Sequence, residues 1–367
     1  PSTLMIPKLE RSLSLVLHHY SPLAGRLTWN PQDPKPCILV HPGDSVSLTV
    51  AETDQDFSRV SGQELRPATE LRSFVPGLEA TGDSASVLSL QVTFFPNQGF
   101  CIGITSHHAV IDGKTSAMFI KSWAYICRLQ EHEAMDLPLL PEDLTPRFDR
   151  TVIDVLTRLE AKIMELSSRS LKPRPGSEIA ADIVRVTLEL TRENVERLKE
   201  RAKNESTRPP FELHLSTFVI AFAYAWTCVV KACRVRRPDF RHRLGPLVPE
   251  TYFGNCLFPI ALFGYEAKEF SEEDGFAKAV EILGDSGVKK MKPGEQIGAV
   301  TGSPRLGIYG VDFGWGRPVK TEVVAIEHTK GFFSLLERKD ELDGVEMGLC
   351  LKESEMNIFL SLFKNGI

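Results

Sequence analysis

Residues 87–113 read VLSLQVTFFPNQGFCIGITSHHAVIDG, and this stretch decides how the first half of the chain folds. Over residues 100–105, large apolar side chains alternate with small or polar ones, which is the period of a half-buried strand. Residues 87–95 predict a neighbouring strand, and residues 96–99 (PNQG) predict the hairpin turn between the two. We therefore expect two antiparallel strands, the second of which ends at a pair of histidines.

A helix is predicted directly after Gly113, with Thr115 or Ser116 as its N-cap. Apolar residues recur at helical spacing on its expected buried face, namely Ala117, Ile120, Trp123, Ala124 and Cys127. His107 and His108 therefore lie where a strand has stopped and a helix has not begun. Loops at strand ends, held by a rigid sheet, are places where catalytic groups often lie.

His108 is a candidate general base. A neutral imidazole can take a proton from a hydroxyl group while that oxygen attacks an activated carbonyl. Asp112 lies four positions later and directly before a glycine, so we expect its carboxylate to anchor the loop rather than to orient the imidazole. The alternative is that His107 and His108 simply end a strand, with one ring bound to a backbone carbonyl.

A second unusual segment, residues 311–318 (VDFGWGRP), lies far downstream. Gly314 and Gly316 flank Trp315, so the backbone is expected to bend sharply around a large ring. Asp312 precedes them, and we expect it to hold this turn through hydrogen bonds to the backbone. Taken alone, the segment favours a tight turn around a packed tryptophan over a functional role.

His-x-x-x-Asp-Gly at 108–113 and Asp-Phe-Gly-Trp-Gly at 312–316, in this order and so far apart, resemble the BAHD family of plant acyl-CoA-dependent acyltransferases. The resemblance covers nearly the whole chain. Other matching segments are residues 20–27 (YSPLAGRL), 215–218 (LSTF), 239–244 (DFRHRL) and 252–256 (YFGNC). The forms of residues 93–100, 249–256 and 305–310 are most similar to the phenolic glucoside malonyltransferase branch, which also acts on flavonoid and anthocyanin glucosides.

The resemblance implies an α/β fold. Two chloramphenicol-acetyltransferase-like domains, with mixed sheets covered by helices, would enclose a solvent channel between them. The expected domains are residues 1–170, which carry His-x-x-x-Asp, and residues 183–367, which carry Asp-Phe-Gly-Trp-Gly. Residues 171–182 would be the crossover linker, because prolines occur at positions 173 and 175.

The remaining elements are predicted from periodicity and caps. In the first half we expect helices at residues 3–20 and 152–166, and a surface excursion at 137–150. In the second half we expect strands at 183–188, 305–310, 321–327, 332–336 and 345–351. Helices are expected there at 195–202 (with Thr191 as the cap), 216–232, 272–283 and 353–363.

The resemblance also implies a mechanism, which is direct acyl transfer in a ternary complex without a covalent acyl-enzyme. His108 would deprotonate the acceptor hydroxyl, and the proton would later pass to the departing CoA thiolate. Arg241 is the cation that the resemblance suggests as a partner of Asp112. The indole N–H of Trp315 is a candidate oxyanion donor, and packing of the ring is the equally weighted alternative.

A malonyl group carries a free carboxylate, which would need a cation or several hydrogen-bond donors. Lys114, Arg185 and Asn255 are candidates for this role, and Tyr252 is a candidate for binding acyl-CoA or acceptor. An aromatic (hydroxycinnamoyl) acyl-CoA is the alternative donor. A thioesterase-like hydrolase and a non-catalytic ligand-binding member are alternatives of other classes. Acyl-CoA would be a co-substrate, and no permanently bound cofactor is expected.

The composition of the chain limits the classes of molecule that we expect it to bind. The formal net charge of -5 argues against a nucleic-acid-binding protein, and no apolar stretch is long enough to span a bilayer. No secretory signal is visible. Seven cysteines without metal-ligand spacing indicate reduced thiols in a cytosolic protein, and we expect no metal site. Small-molecule substrates and a monomeric state are the expectation.

This chain departs from the family pattern at three points. A further strand and helix usually precede the position of Pro1. The stretches before Asp239 and between Ser286 and Lys292 are shorter than the pattern leads us to expect.

Overall fold

The computed structural model describes residues 2–30, 32–130, 137–149, 170–171, 179–233, 270–284, 299–324 and 332–367. The α-helices in these ranges are α1 (Ser2–His19), α2 (Phe57–Ser61), α3 (Gly113–Leu129), α4 (Arg192–Glu205), α5 (Thr217–Cys233), α6 (Gly275–Gly284) and α7 (Glu353–Asn365). The strands are β1 (Arg26–Thr28), β2 (Cys37–Leu39), β3 (Ser47–Glu52), β4 (Arg66–Pro67), β5 (Ser84–Ser86), β6 (Leu88–Phe95), β7 (Gly99–Ser106), β8 (Ile183–Leu190), β9 (Ala299–Ser303), β10 (Phe332–Glu337) and β11 (Val345–Lys352).

The described strands form three sheets. Their strand orders are β2-β1-β5, β3-β6-β7 and β4-β8-β11-β10-β9. The second sheet is mixed because β3 pairs with β6 in parallel and β6 with β7 antiparallel. The third is mixed because β9 and β10 are parallel while its other pairs are antiparallel. Mixed sheets packed with helices confirm the predicted α/β class.

The predicted hairpin is present as β6 and β7. Leu88 pairs with Ser106 at its open end, and Phe95 pairs with Gly99 beside the turn. Asn97 takes a left-handed backbone conformation with φ of 61°, which asparagine tolerates better than most residues. The turn therefore reverses the chain within three residues and sets the register that carries the histidines to the far end of β7.

The two faces of β7 are covered by different parts of the chain. Phe100, Ile102 and Ile104 pack against the core formed with α1 and α3. On the opposite face, a side chain at Gly103 would come within 1.8 Å of the carbonyl oxygen of Phe74, so only glycine fits there. The segment 74–76 therefore lies directly on β7, just before the histidines.

Two large apolar clusters stabilise the protein. The first core is built mainly on α1, α3 and the sheet β3-β6-β7, and its largest fully buried side chain is Trp123. The second core is built on α4 to α7 and one face of the five-stranded sheet, and it contains Phe222, Phe333 and Phe359. Each half of the chain thus supplies most of one core.

Two short segments cross between the halves. β4 comes from the first half but joins the second half's sheet, where Arg66 pairs in register with Arg185. Val311 and Phe313 come from the second half but belong to the first core, where the Phe313 ring meets Trp123 edge-on at 5.0 Å. The boundary at 171–182 stays a prediction, because residues 172–178 lie outside the described residues.

Two strand predictions are wrong. Residues 305–310 form a turn and a short 3-10 helix (Ile308–Gly310) instead of a strand, because Gly307 is left-handed with φ of 67° and interrupts the extended backbone. The strand at this place is β9, which ends before Pro304. Residues 321–324 pair with no described strand, and the backbone of Thr321 and Val323 is bound instead by side chains.

Parts of the prediction fall outside the described residues. These are the helix at 152–166, most of the linker, and residues 325–327.

The apolar helix α5 is almost entirely buried in the second core. Among the described helices, none combines the length and the apolar character that crossing a membrane requires.

Candidate active site

The two histidines leave β7 at its end, Ser106. The His107 backbone N–H donates to the Val87 carbonyl oxygen at 2.9 Å and so extends the strand pairing by one residue. The Val110 N–H then donates to the His107 carbonyl oxygen, also at 2.9 Å, and closes a turn. His108 lies inside this turn, where a rigid sheet ends and α3 has not begun.

His107 and His108 have different surroundings. The His107 ring is half-buried, and its Nδ1 accepts the Ala109 N–H at 3.2 Å. Burial lowers the pKa of His107, the nearby His108 lowers it further, and a hydrogen bond to the backbone of Leu171 opposes both effects. His108 is exposed. His107 thus supports the loop, and His108 is the imidazole on the accessible side.

Asp112 is the N-cap of α3, so the predicted cap at Thr115 or Ser116 is wrong. Its Oδ1 accepts the Thr115 N–H at 2.9 Å, and the Thr115 hydroxyl in turn accepts the Asp112 N–H at 2.9 Å. Aspartate is a better N-cap than threonine, and the reciprocal pair satisfies two otherwise unpaired N–H groups. Asp112 is 6% exposed. Its carboxylate therefore anchors the start of α3, and Arg241, its suggested partner, lies outside the described residues.

A loop from the second half lies against the start of α3. A side chain at Gly113 would be 4.0 Å from a methyl group of Leu306, and one at Gly307 would be 2.8 Å from the Lys121 ammonium. Glu337 holds this loop by accepting backbone N–H groups from residues 307 and 309. Neither the position of this loop nor the role of Glu337 is predictable from the sequence, because no local pattern connects residues 30 positions apart.

Asp312 closes its glycine-rich turn. One carboxylate oxygen accepts the N–H groups of Gly314 and Gly316 at 2.7 and 3.1 Å. The Gly314 hydrogen bond lowers the pKa of Asp312 most, and the Gly316 hydrogen bond adds to it. Both glycines have φ near +100°, a region that other residues rarely adopt.

Trp315 lies at the wrong end of β7 for the suggested oxyanion role. Its ring meets Phe100 edge-on at 6.0 Å, and the Lys8 ammonium lies 5.2 Å from the ring centroid. Phe100 is at the start of β7 and His108 follows its end, so at least six residues separate them, roughly 20 Å of strand. Packing of the ring is therefore the role that fits Trp315, which is 38% exposed.

Arg185 is buried, which corrects its suggested role in binding a substrate carboxylate. It is 1% exposed, its Nη2 lies 2.5 Å from Glu322 Oε2, and its Nη1 donates to the Val323 carbonyl oxygen at 2.9 Å. The other carboxylate oxygen of Glu322 accepts the Thr187 hydroxyl at 2.7 Å. A guanidinium that is buried and paired in this way stabilises the fold and is not exposed to a substrate.

Lys114 is the one cation suggested for substrate binding that is both described and exposed. It lies in the first turn of α3, two residues after Asp112. Tyr252 and Asn255 lie outside the described residues, as do most of the residues that the sequence assigns to the channel. The channel itself stays a prediction.

The described residues offer little support for a cysteine nucleophile or for a metal site. Burial raises the pKa of the Cys101 thiol to about 11, so it stays protonated near neutral pH and is a poor nucleophile. Within these residues no group of three or more His, Cys, Asp or Glu side chains could hold a metal ion. Among the described residues, His108 remains the candidate for acid–base chemistry.

Comparison with known proteins extends over nearly the whole chain. The sequence profile of the Transferase family matches residues 1–295 and 276–365. A BAHD acyltransferase from Arabidopsis thaliana is 52% identical over 98% of this chain and 86% of that protein. From the same plant, agmatine coumaroyltransferase is 48% identical over 99% of this chain and 86% of its own length. Phenolic glucoside malonyltransferase 2 is 45% identical over 100% and 86%.

Solved structures show the same fold at lower identity. Vinorine synthase superposes with a TM-score of 0.64 at 22% identity, covering 99% of this chain and 86% of that one. TRI101 of F. graminearum, in complex with coenzyme A and deoxynivalenol, has a TM-score of 0.64 at 14% identity and covers 97% and 89%. These matches confirm the chloramphenicol-acetyltransferase-like fold predicted from the sequence.

Proposed function

We propose, on the premise that this chain belongs to the BAHD acyltransferases of the Transferase family, that it transfers malonyl from malonyl-CoA to a glucose hydroxyl of a phenolic or flavonoid glucoside. As a member of that family it is an acyltransferase that uses acyl-CoA as a co-substrate. The observation that carries the proposal is an exposed His108 at the end of β7, in a loop held by His107 and Asp112.

His108 is the proposed general base. Its neutral ring removes the proton of the acceptor hydroxyl while that oxygen attacks the thioester carbonyl of acyl-CoA. The carbon–sulfur bond then breaks, the acyl group stays on the acceptor oxygen, and the proton passes from the imidazolium to the CoA thiolate. General base assistance supplies roughly 10²–10⁴-fold of the rate, and positioning of the two substrates supplies much of the rest.

The malonyl donor is supported by the relatives and by one side chain. Proteins named as malonyltransferases of phenolic and anthocyanin glucosides are 45% and 46% identical to this chain. Lys114 is exposed in the first turn of α3, where the helix N-terminus also favours negative charge. The malonyl carboxylate would bind there, because Arg185 is enclosed in the fold.

A hydroxycinnamoyl donor is the second candidate. It is favoured by the 48% identity to agmatine coumaroyltransferase, whose name indicates an aromatic acyl group and an amine acceptor. An aromatic donor would need no cation, and apolar contacts would replace Lys114. A non-catalytic ligand-binding protein would have no need of an imidazole at position 108.

Pairing two donors with two acceptors separates these candidates. The purified protein would receive malonyl-CoA or coumaroyl-CoA together with a phenolic glucoside or agmatine, and products and released CoA would be followed by mass spectrometry. Malonyl-glucoside is the expected product. Coumaroyl transfer alone would overturn the malonyl assignment, CoA release that ignores the acceptor would indicate hydrolysis, and no release would indicate binding only.

Two variants test the roles of His108 and Lys114. His108→Ala should lower kcat/KM by on the order of 10²-fold or more while the unfolding temperature stays that of the parent. His41→Ala removes an imidazole from a different turn and should leave turnover unchanged. Lys114→Gln should raise KM for malonyl-CoA but not for coumaroyl-CoA. If His108→Ala turns over as fast as the parent, His108 is not the general base.

We also propose that the protein is a cytosolic monomer whose partners are small molecules. Cys37 is an exposed free thiol and Cys101 and Cys228 are free thiols in the interior, which suits a reducing compartment. Light scattering during size-exclusion chromatography would measure the oligomeric state.

A further inference from the structure

The connection between β9 and the 3-10 turn at Ile308–Gly310 has a defined shape. β9 lies parallel to β10, and Ser303 at its end pairs with Leu336. The chain then leaves the sheet and passes Gly307 in the left-handed conformation, with φ of 67° and ψ of 30°. Residues 303–310 are called the 303–310 loop below.

One carboxylate holds this loop. Glu337 is the last residue of β10, directly after Leu336, so its side chain starts beside the place where the loop leaves β9. Its Oε2 accepts the Gly307 N–H at 2.5 Å and its Oε1 accepts the Tyr309 N–H at 3.2 Å. Hydrogen bonds from backbone N–H groups to a charged acceptor are stronger than neutral ones, so Glu337 determines where the loop lies.

The loop belongs to the second half, but it rests on the first half at the start of α3. α3 contacts both β9 and the 3-10 turn. Leu306 reaches the position of Gly113, and Gly307 lies close to the Lys121 ammonium. The start of α3 is anchored by Asp112, four residues after His108. The loop therefore lies against the start of the helix that directly follows the turn of the proposed base.

We propose that the 303–310 loop forms the second-half wall of the His108 site and that Glu337 is the positioning residue that holds this wall. The proposal rests on the proposed function of that site. A wall of this kind limits how an acceptor can approach the imidazole, so its displacement changes which acceptors react well. Glu337 acts through the loop and touches no reacting atom. Misplacement by about 1 Å at a reacting centre can cost as much as 10²-fold in rate.

Two variants displace the wall by different routes. Glu337→Gln replaces one accepting oxygen with an NH₂ group, which cannot accept a backbone N–H. Gly307→Ala places a β-carbon at a left-handed residue, which disfavours the present path of the loop. If one of them fails to fold, the other still tests the proposal.

Each variant has a matched control. Glu341→Gln makes the same substitution in the turn between β10 and β11, where Glu341 accepts the Arg192 N–H at 3.0 Å and pairs with Arg338. Gly43→Ala adds a β-carbon at another left-handed glycine, in a turn before β3. The controls report what lost stability alone does to activity.

The readout is the ratio of kcat/KM for a small acceptor, phenyl glucoside, to that for a large one, a flavonoid glucoside, with one acyl-CoA donor. This ratio does not depend on the fraction of folded enzyme. We expect a change of about fivefold or more in Glu337→Gln and Gly307→Ala and less than twofold in both controls. A parental ratio in both loop variants would overturn the proposal.

Hydrogen exchange separates failure of this proposal from failure of the proposed function. In Glu337→Gln, amides of the 303–310 loop and of residues 108–116 should exchange faster, and in Glu341→Gln they should not. If the parent transfers no acyl group with any donor and acceptor, the proposed function fails. If the parent is active, and the amides of residues 303–310 exchange faster in Glu337→Gln while those of residues 108–116 are unchanged, the proposed wall is rejected.

Discussion

Two adjacent side chains of the same type have different surroundings in this protein. Successive residues at the end of an extended strand point to opposite sides, so His107 turns toward Leu171 while His108 stays exposed. His107 accepts the Ala109 N–H and stiffens the turn in which His108 lies. A base is useful only when its position is fixed, and at this site the neighbouring histidine contributes to fixing it.

His107→Gln should reduce the pH dependence of stability. The pKa of His107 is lowered in the folded state from its ordinary 6.5, so the unfolded chain binds more protons as the pH falls below about 7. Stability that is fully present above pH 6.5 is therefore lost as the pH falls toward the folded pKa. Unfolding temperatures at pH 7.5 and 5.5 should differ more in the parent than in His107→Gln. The exposed His41→Gln controls for the loss of one imidazole, and equal differences in the parent and His107→Gln would contradict the prediction.

Asp112→Ala should lower both stability and activity. Removal of an N-cap costs about 1 kcal/mol, within a range of about 0.5–2, and here it also releases the loop that carries His108. Thr191→Ala removes the same kind of capping box from α4, far from His108. Denaturant unfolding should show a similar loss for both variants, whereas acyl transfer should fall only in Asp112→Ala. Full stability in Asp112→Ala, or an equal loss of activity in both, would argue against the anchoring role.

At the scale of elements, residues 311–316 connect the two halves through packing, and they take no part in the proposed reaction. Val311 and Phe313 insert into the first core, and Asp312 holds the turn that follows. Trp315 covers the start of β7 at Phe100. Trp315, the most conspicuous residue of this segment, lies beside Phe100, at the other end of β7 from the proposed base.

Gly316→Ala should lower the unfolding temperature and leave catalysis intact. Open space surrounds this position, so the cost comes from φ of 101° and is about 1 kcal/mol or more. Gly77→Ala, also in open space but without a left-handed φ, should be neutral or slightly stabilising.

Trp315→Phe removes the indole N–H but keeps a ring. It should keep kcat within about threefold, because a side chain that only packs at the start of β7 does not contact the transition state. A hundredfold loss of kcat in Trp315→Phe would restore the oxyanion role.

At the scale of the whole molecule, a buried set of charges lies on the face of the five-stranded sheet opposite the second core. Arg185 and Lys320 lie with Glu322 and Glu346, and the Tyr309 hydroxyl donates to Glu346 at 2.9 Å. Burial raises the pKa of Tyr309, so its hydroxyl remains a donor. These contacts tie residues 309–323 to β8 and β11, while residues 311 and 313 lie in the first core. The same short segment thus joins both halves.

Arg185→Met should be strongly destabilising. It leaves Glu322 with Lys320 at 3.8 Å as a weaker partner, and breaking a buried ion pair costs about 3–5 kcal/mol. Arg59→Met breaks a solvent-exposed pair with Glu70 and should cost far less, because water screens that pair. Urea unfolding measures both. Equal, small losses would contradict the structural role of Arg185.

The hairpin, the helix after it and the turn around Asp312 could be predicted because local rules govern them. The alternation of apolar with small or polar residues and the turn sequence PNQG at residues 96–99 predict β6 and β7. The glycines at 314 and 316 predict a bend. Thr191 was found as a cap from its position before a helical pattern. The Asp112 cap was missed because Asp112, Thr115 and Ser116 all offer capping side chains within about one helical turn.

By itself, the order of residues determined the family, the class of fold and the position of a histidine pair at the end of a strand, because each depends on neighbours within about ten residues or on motifs that are read directly from the sequence. Only the tertiary structure decided that Arg185 is enclosed by Glu322, that Trp315 lies at the far end of β7, and that Glu337 holds a loop beside α3. Those contacts join residues far apart in the chain. Their partners are selected by burial and by the need to pair buried polar groups, which no local pattern encodes.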